Sequence, residues 1–133
     1  MPPLTRYALR AAMLSLVAAL ALGIVTALPG GRWIALRPVF YHLLMMGWAT
    51  QMIFGVAWWM FPRRTPSEPQ TTPLSWLCFI SLNLGLLLRA IAEPAVAWSA
   101  VPLFGLALHA ASTLQLLSVT LFAWQMWRRV FVR

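Results

Sequence analysis

Residues 39–61 read VFYHLLMMGWATQMIFGVAWWMF, and apart from His42 no side chain in this run is ionisable near neutral pH. A stretch of about 20 predominantly apolar residues is what an α-helix needs to cross a bilayer core. Pro62-Arg63-Arg64 stops it on one side, and Arg37-Pro38 stands on the other. A soluble protein would have to bury such a helix on every side.

Three further runs flank this one: 8–28, ended by Pro29-Gly30-Gly31; 74–92; and about 96–127, ahead of Arg128-Arg129. Hydrophobic residues make up 62% of the 133-residue chain and charged residues 9%. A water-soluble domain carries about 25% charged residues, so the solvent for these side chains is lipid. The reading is all-α, a single integral membrane four-helix transmembrane bundle with helices at 8–28, 39–61, 74–92 and 96–127. The first run has basic residues ahead of it, and Val25-Thr26-Ala27 would pass as a cleavage site. Its apolar stretch exceeds the usual 7–15 residues of a signal peptide, so it is expected to stay as a helix.

All ten basic residues are arginines, and the acids are Glu68 and Glu93, for a net charge of +8. Such a balance raises the question of nucleic acid. The arginines instead bracket apolar runs, which is the pattern of membrane anchoring, so no nucleic-acid partner is expected. Arg6, Arg10, Arg63, Arg64, Arg128, Arg129 and Arg133 fall on one side of the bundle, and Arg32, Arg37 and Arg89 on the other. Positive residues stay inside, so both termini are expected in the cytoplasm of a bacterium, with the bundle in its inner membrane.

The two histidines, His42 and His109, both lie within apolar runs. Ionisable groups in a membrane usually face a partner, a cavity or a cofactor. His42 precedes Arg63 by 21 residues and His109 precedes Arg128 by 19. The two helices run the same way, so at 1.5 Å per residue the rings differ in height by only about 3 Å. Two imidazoles at one level on two helices suit the two axial positions of a haem iron. Gly105, one turn before His109, leaves room for a flat ligand, and Met45 and Met46 follow His42 as soft neighbours. Arg32, Arg37 and Arg89 are placed to meet propionates. The competing reading gives both histidines only hydrogen bonds to neighbouring helices, in a cofactor-free accessory or scaffold subunit of a larger membrane complex.

Tyr41-His42-Leu43-Leu44-Met45-Met46-Gly47-Trp48, followed by Gly55-Val56-Ala57-Trp58-Trp59-Met60-Phe61-Pro62-Arg63, resembles the second helix of the haem-copper oxidase catalytic subunit. Cytochrome oxidases and the large subunit of nitric oxide reductase belong to that superfamily. Asn83-Leu84-Gly85, Arg89-Ala90-Ile91-Ala92-Glu93-Pro94 and Trp124-Gln125-Met126-Trp127-Arg128-Arg129-Val130 are similar to later segments of short proteins related to it. The resemblance implies that His42 ligates a low-spin haem b. The full subunit has about twelve helices and further histidines for copper and a second haem, which this chain lacks. Oxygen or nitric oxide reduction by this chain alone is therefore not expected, and His109 matches no motif of that family. The expected activity is electron transfer, with a redox protein or larger respiratory complex as partner.

Other chemistry is excluded by inventory. One cysteine and two glutamates cannot build a zinc site, and without aspartate there is no Ser-His-Asp triad. Arg89 and Glu93, four residues apart, are spaced to pair on one helix face. Gly47, Gln51 and Gly55 form a small-polar-small stripe that marks a close helix contact, within the bundle or across a homodimer. Asn83 and Gln115 are candidate interhelical hydrogen-bonders. Trp33, Trp98 and Trp127 stand where interfacial anchors belong, and Cys78 reads as a small core residue.

Overall fold

The computed structural model describes residues 1–63, 67 and 69–131. Four helical spans are each long and apolar enough to cross a membrane: Pro3–Ala27, Gly31–Met60, Pro73–Trp98 and Pro102–Val130. The bundle is all-α, and its lipid-facing surface is a continuous field of exposed Leu, Ile, Val, Met and Trp. Arg64, Glu68 and Arg133, which entered the charge count, lie outside the described residues.

Proline sets where the spans begin. Pro3, Pro38, Pro73 and Pro102 each occupy the first turn of a helix, where a missing N–H costs nothing and the fixed φ is already helical. The first three spans are longer than the apolar runs, while the fourth, expected from about 96, begins at Pro102 because residues 96–98 belong to the third. The third was expected to end at Ala92, but it continues through Pro94 to Trp98. Proline removes one backbone donor, and one lost bond near the end of a 26-residue helix does not stop it. The turn between the first two spans needs Gly30, whose φ of 118° suits only a residue without a side chain.

The second span changes pitch along its length. Arg37–His42 and Gln51–Met60 are α-helical, and between them Leu43–Thr50 is a π-helix. Its wider turns carry i→i+5 hydrogen bonds, and the Thr50 hydroxyl donates to the carbonyl of Met45, five residues back, at 2.9 Å. The change of pitch begins right after His42. The third span starts on a capping box in which Thr72 and Ser75 exchange side-chain and backbone bonds, a device that stabilises a helix by roughly 1 kcal/mol. Gln70 donates to the last carbonyls of the second span, Trp58 at 2.9 Å and Trp59 at 3.0 Å. Arg129 in turn donates to the Gln70 carbonyl at 2.9 Å.

Apolar burial is concentrated toward the end that carries the chain termini. Leu4, Ala8, Phe54, Trp58, Cys78 and Leu82 form the core, with Met46, Phe79, Leu121, Phe122 and Met126 packed against it. Phe54 stacks on Phe122 with centroids 3.8 Å apart and planes 10° from parallel. This stack fixes the register of the second span against the fourth. In lipid, helices associate through packing and hydrogen bonds rather than water exclusion, so close approach at small residues matters most. Gly47 lies against Ser15 and Leu86, Gly55 against Ala8 and Leu9, and Gly85 against Gln115 and the Ala111 carbonyl. The Gly47/Gln51/Gly55 stripe thus lies inside the bundle, facing the first and third spans.

Candidate functional site

The polar groups of the far half, away from the termini, gather on the third span. His42, near the start of the second span, brings Nδ1 to 2.9 Å from Oε1 of Glu93. The same nitrogen is 2.9 Å from the carbonyl oxygen of Pro38. Arg89, one turn from Glu93, donates through Nη1 to that same Oε1 at 2.9 Å. Its Nε donates to Oε1 of Gln115 at 2.9 Å, and its Nη2 to the Ser112 hydroxyl at 2.7 Å. One chain of contacts therefore links the second, third and fourth spans. The Glu93 side chain keeps only 7% of its surface accessible, and that of His42 32%.

The network has a chemical consequence at His42. Both atoms facing Nδ1 are acceptors, so Nδ1 carries the proton. In the neutral ring Nε2 then holds a free lone pair, the form in which imidazole binds a metal or takes up a proton.

The other expected site residues are placed as follows. His109 is exposed, and its carbonyl accepts from the Thr113 hydroxyl at 2.9 Å. At 100° per residue it lies about 160° around the helix from the Ala111, Gln115 and Ser118 strip that packs on the third span. Arg89 reaches Ser112, one turn from His109, rather than His109 itself. The structure joins His42 to Glu93 and Arg89, and leaves His109 outside that network. Gly105 borders open space, with no atom near a Cβ built there. The two methionines part: Met45 turns outward, while Met46 packs on the core. Adjacent residues on a helix point about 100° apart, so only one of the two can face the core. Arg32 and Arg37 are exposed at this end. Arg89 was read as a propionate partner, but all three of its nitrogens are engaged within the bundle.

A second polar layer lies closer to the middle. Gln51 donates to the Asn83 side-chain oxygen at 3.2 Å, and Asn83 returns a bond to Gln51 at 3.0 Å. Nearer the termini, Ser118 donates to the Cys78 carbonyl at 2.7 Å, and Ser75 to Gln125 at 2.7 Å. These are the bonds that hold helices together where water is absent.

The Glu93–His42 pair was not visible in the sequence, because its members stand 51 positions apart. One signal pointed to it: Glu93 is an acid at the edge of an apolar run, and such a group needs a partner.

Comparison with protein-family models, with curated proteins and with solved structures finds no match to this chain.

Whether these residues fit a haem is decided at each histidine. At His42 the fixed tautomer offers Nε2 as a ligand, whereas the His109 ring faces away from the second and third spans. From the Phe54–Phe122 stack, His42 lies twelve residues along the second span and His109 thirteen along the fourth, on the face turned away from that stack. The links through Glu93 and Arg89 place the Ser112 hydroxyl within about 11 Å of His42 Nδ1, given the width of a guanidinium. Among the described residues no side chain hydrogen-bonds the His109 ring. No cluster of three or more His, Cys, Asp or Glu exists among the described residues, so His42 and His109 are the candidate nitrogens.

Proposed function

We propose that this protein is a small membrane electron carrier that binds one b-type haem, which His42 would hold through Nε2. The observation that carries the reading is the His42 ring: two acceptors at 2.9 Å hold its Nδ1 proton and leave Nε2 as a donor. The resemblance of the second span to the haem-copper oxidase subunit points the same way. Haem supplies a reversible one-electron couple when bound. The chain's own residues orient the ligand ring and present Arg32 and Arg37 as cations for propionates.

The Arg distribution supports a bacterial cytoplasmic membrane with both termini inside; reporter fusions at each loop test this orientation. The partner on this reading is a redox protein or respiratory complex, or a second copy of the chain. The haem test is spectroscopic. Protein purified after expression with haem is expected to give a sharp, split band on reduction with dithionite. His42→Ala is expected to abolish it. Protein that stays colourless overturns the proposal.

One observation favours a second reading, a cofactor-free accessory subunit: Glu93 satisfies His42 without any metal. On that reading His42→Ala weakens the contact between the second and third spans, and there is no band to lose.

A further inference from the structure

Glu93 is the most enclosed charged side chain in the far half of the bundle, and its geometry is asymmetric. Oε1 takes both His42 Nδ1 and Arg89 Nη1, each at 2.9 Å. Oε2 is buried with no hydrogen-bond partner among the described residues. Arg89 supplies the countercharge that a carboxylate at this depth requires, and Gln115 and Ser112 hold the guanidinium in turn. Glu93 is thus anchored from behind, and its front oxygen meets the imidazole.

Two acceptors compete for the Nδ1 proton, and they are unequal. The Pro38 carbonyl sits in a helix, where a carbonyl already accepts from the N–H four residues on. Both contacts measure 2.9 Å, but the bond to the carboxylate is charge-assisted and roughly twice as strong as one to a neutral acceptor. Partners of this kind fix the tautomer and raise the basicity of the opposite nitrogen.

We propose that Glu93 is the positioning residue for His42: its Arg89-anchored carboxylate holds the Nδ1 proton and leaves Nε2 bare as the nitrogen that can bind a metal. The identity of that metal as haem iron rests on the reading above; the control of the ring by Glu93 does not.

The test has two arms on the full chain in detergent or nanodiscs. The first uses ¹⁵N-histidine-labelled protein without haem and reads the ring tautomer by NMR. Wild type is expected to show His42 protonated at Nδ1 and bare at Nε2, and Glu93→Ala to populate the Nε2–H form. If Glu93→Ala fails to fold, Glu93→Gln replaces it, since an amide oxygen of the same shape is a weaker acceptor. An Nε2–H ring in wild type overturns the proposal, as does a tautomer unchanged by both variants. The second arm loads haem into wild type and Glu93→Gln. Affinity is expected to fall by about 10- to 100-fold, and the midpoint potential to rise because the ligand donates less. Equal affinity and potential overturn the proposal, because a purely structural role would move melting alone. Should wild type take up no haem while the tautomer still follows Glu93, the haem reading fails and the positioning role stands.

Discussion

Replacing Gly85 by Ala tests how tightly the third and fourth spans are pressed together. A Cβ at this position would stand 2.9 Å from Gln115 Cγ and 3.0 Å from the Ala111 carbonyl oxygen. Ordinary contacts lie at about 3.5–4.0 Å, so the helices must separate by roughly 0.5–1 Å. The Ala111 oxygen belongs to the backbone and cannot swing aside, and Gln115 is tied to Arg89 at 2.9 Å. Overpacking of this kind costs about 1–3 kcal/mol. Helix propensity acts in the opposite direction, favouring Ala over Gly by about 1 kcal/mol. Gly105→Ala removes that ambiguity, because it sits in the same span as the displaced Gln115 and faces open space. Both variants gain the propensity term, so their difference isolates the overpacking. Cys78 supplies the assay: it is the one cysteine of the chain, and it is buried in the third span. Its labelling by a maleimide therefore reports transient opening of the bundle. A difference of about 1–3 kcal/mol makes Gly85→Ala label about 5- to 150-fold faster than Gly105→Ala. Equal rates would refute the close packing of these two spans.

Further outcomes follow from the polar layers. Truncating Gln51 and Asn83 to Leu singly and together should reveal a coupling of about 1 kcal/mol in a double-mutant cycle, within the range for bonds between membrane helices. Arg89→Met strands Glu93 and is expected to cost about 3–5 kcal/mol in reversible unfolding, part of which Arg89→Met/Glu93→Leu restores; a double variant as unstable as the single one would contradict the buried pair. Phe122→Leu removes the 3.8 Å stack on Phe54, and a loss of about 1 kcal/mol in thermal or denaturant unfolding is the expected result. Ser118→Ala deletes the 2.7 Å bond to the Cys78 carbonyl; thiol labelling should quicken by a few-fold, in line with roughly 0.6 kcal/mol for such bonds.

Much of the architecture was legible without coordinates. Lipid as solvent follows from composition, and four spans follow from the spacing of apolar runs between prolines and arginines. The Arg89–Glu93 pair was legible because i and i+4 meet on any helix. Asn83 and Gln115 were legible as hydrogen-bonders by type, though not by partner. The span ends were misjudged where Pro94 reads as a stop, since its cost falls on a single bond in the last turns.

What the chain alone could not determine is which faces meet. Apolar surfaces in lipid carry little directional information, and lipid tails compete equally with neighbouring side chains. The π-helical stretch Leu43–Thr50 shifts every face after His42, and no periodic reading at 3.6 residues per turn anticipates it. Tertiary structure decided that Met45 and Met46 part, that Arg89 is engaged inside the bundle, and that Glu93, 51 positions away, takes hold of His42. The number and depth of the helices were local matters of hydropathy and helical rise. The partnership of His42 with Glu93 and Arg89 was set by the docking of the second span on the third, which is a property of the folded bundle.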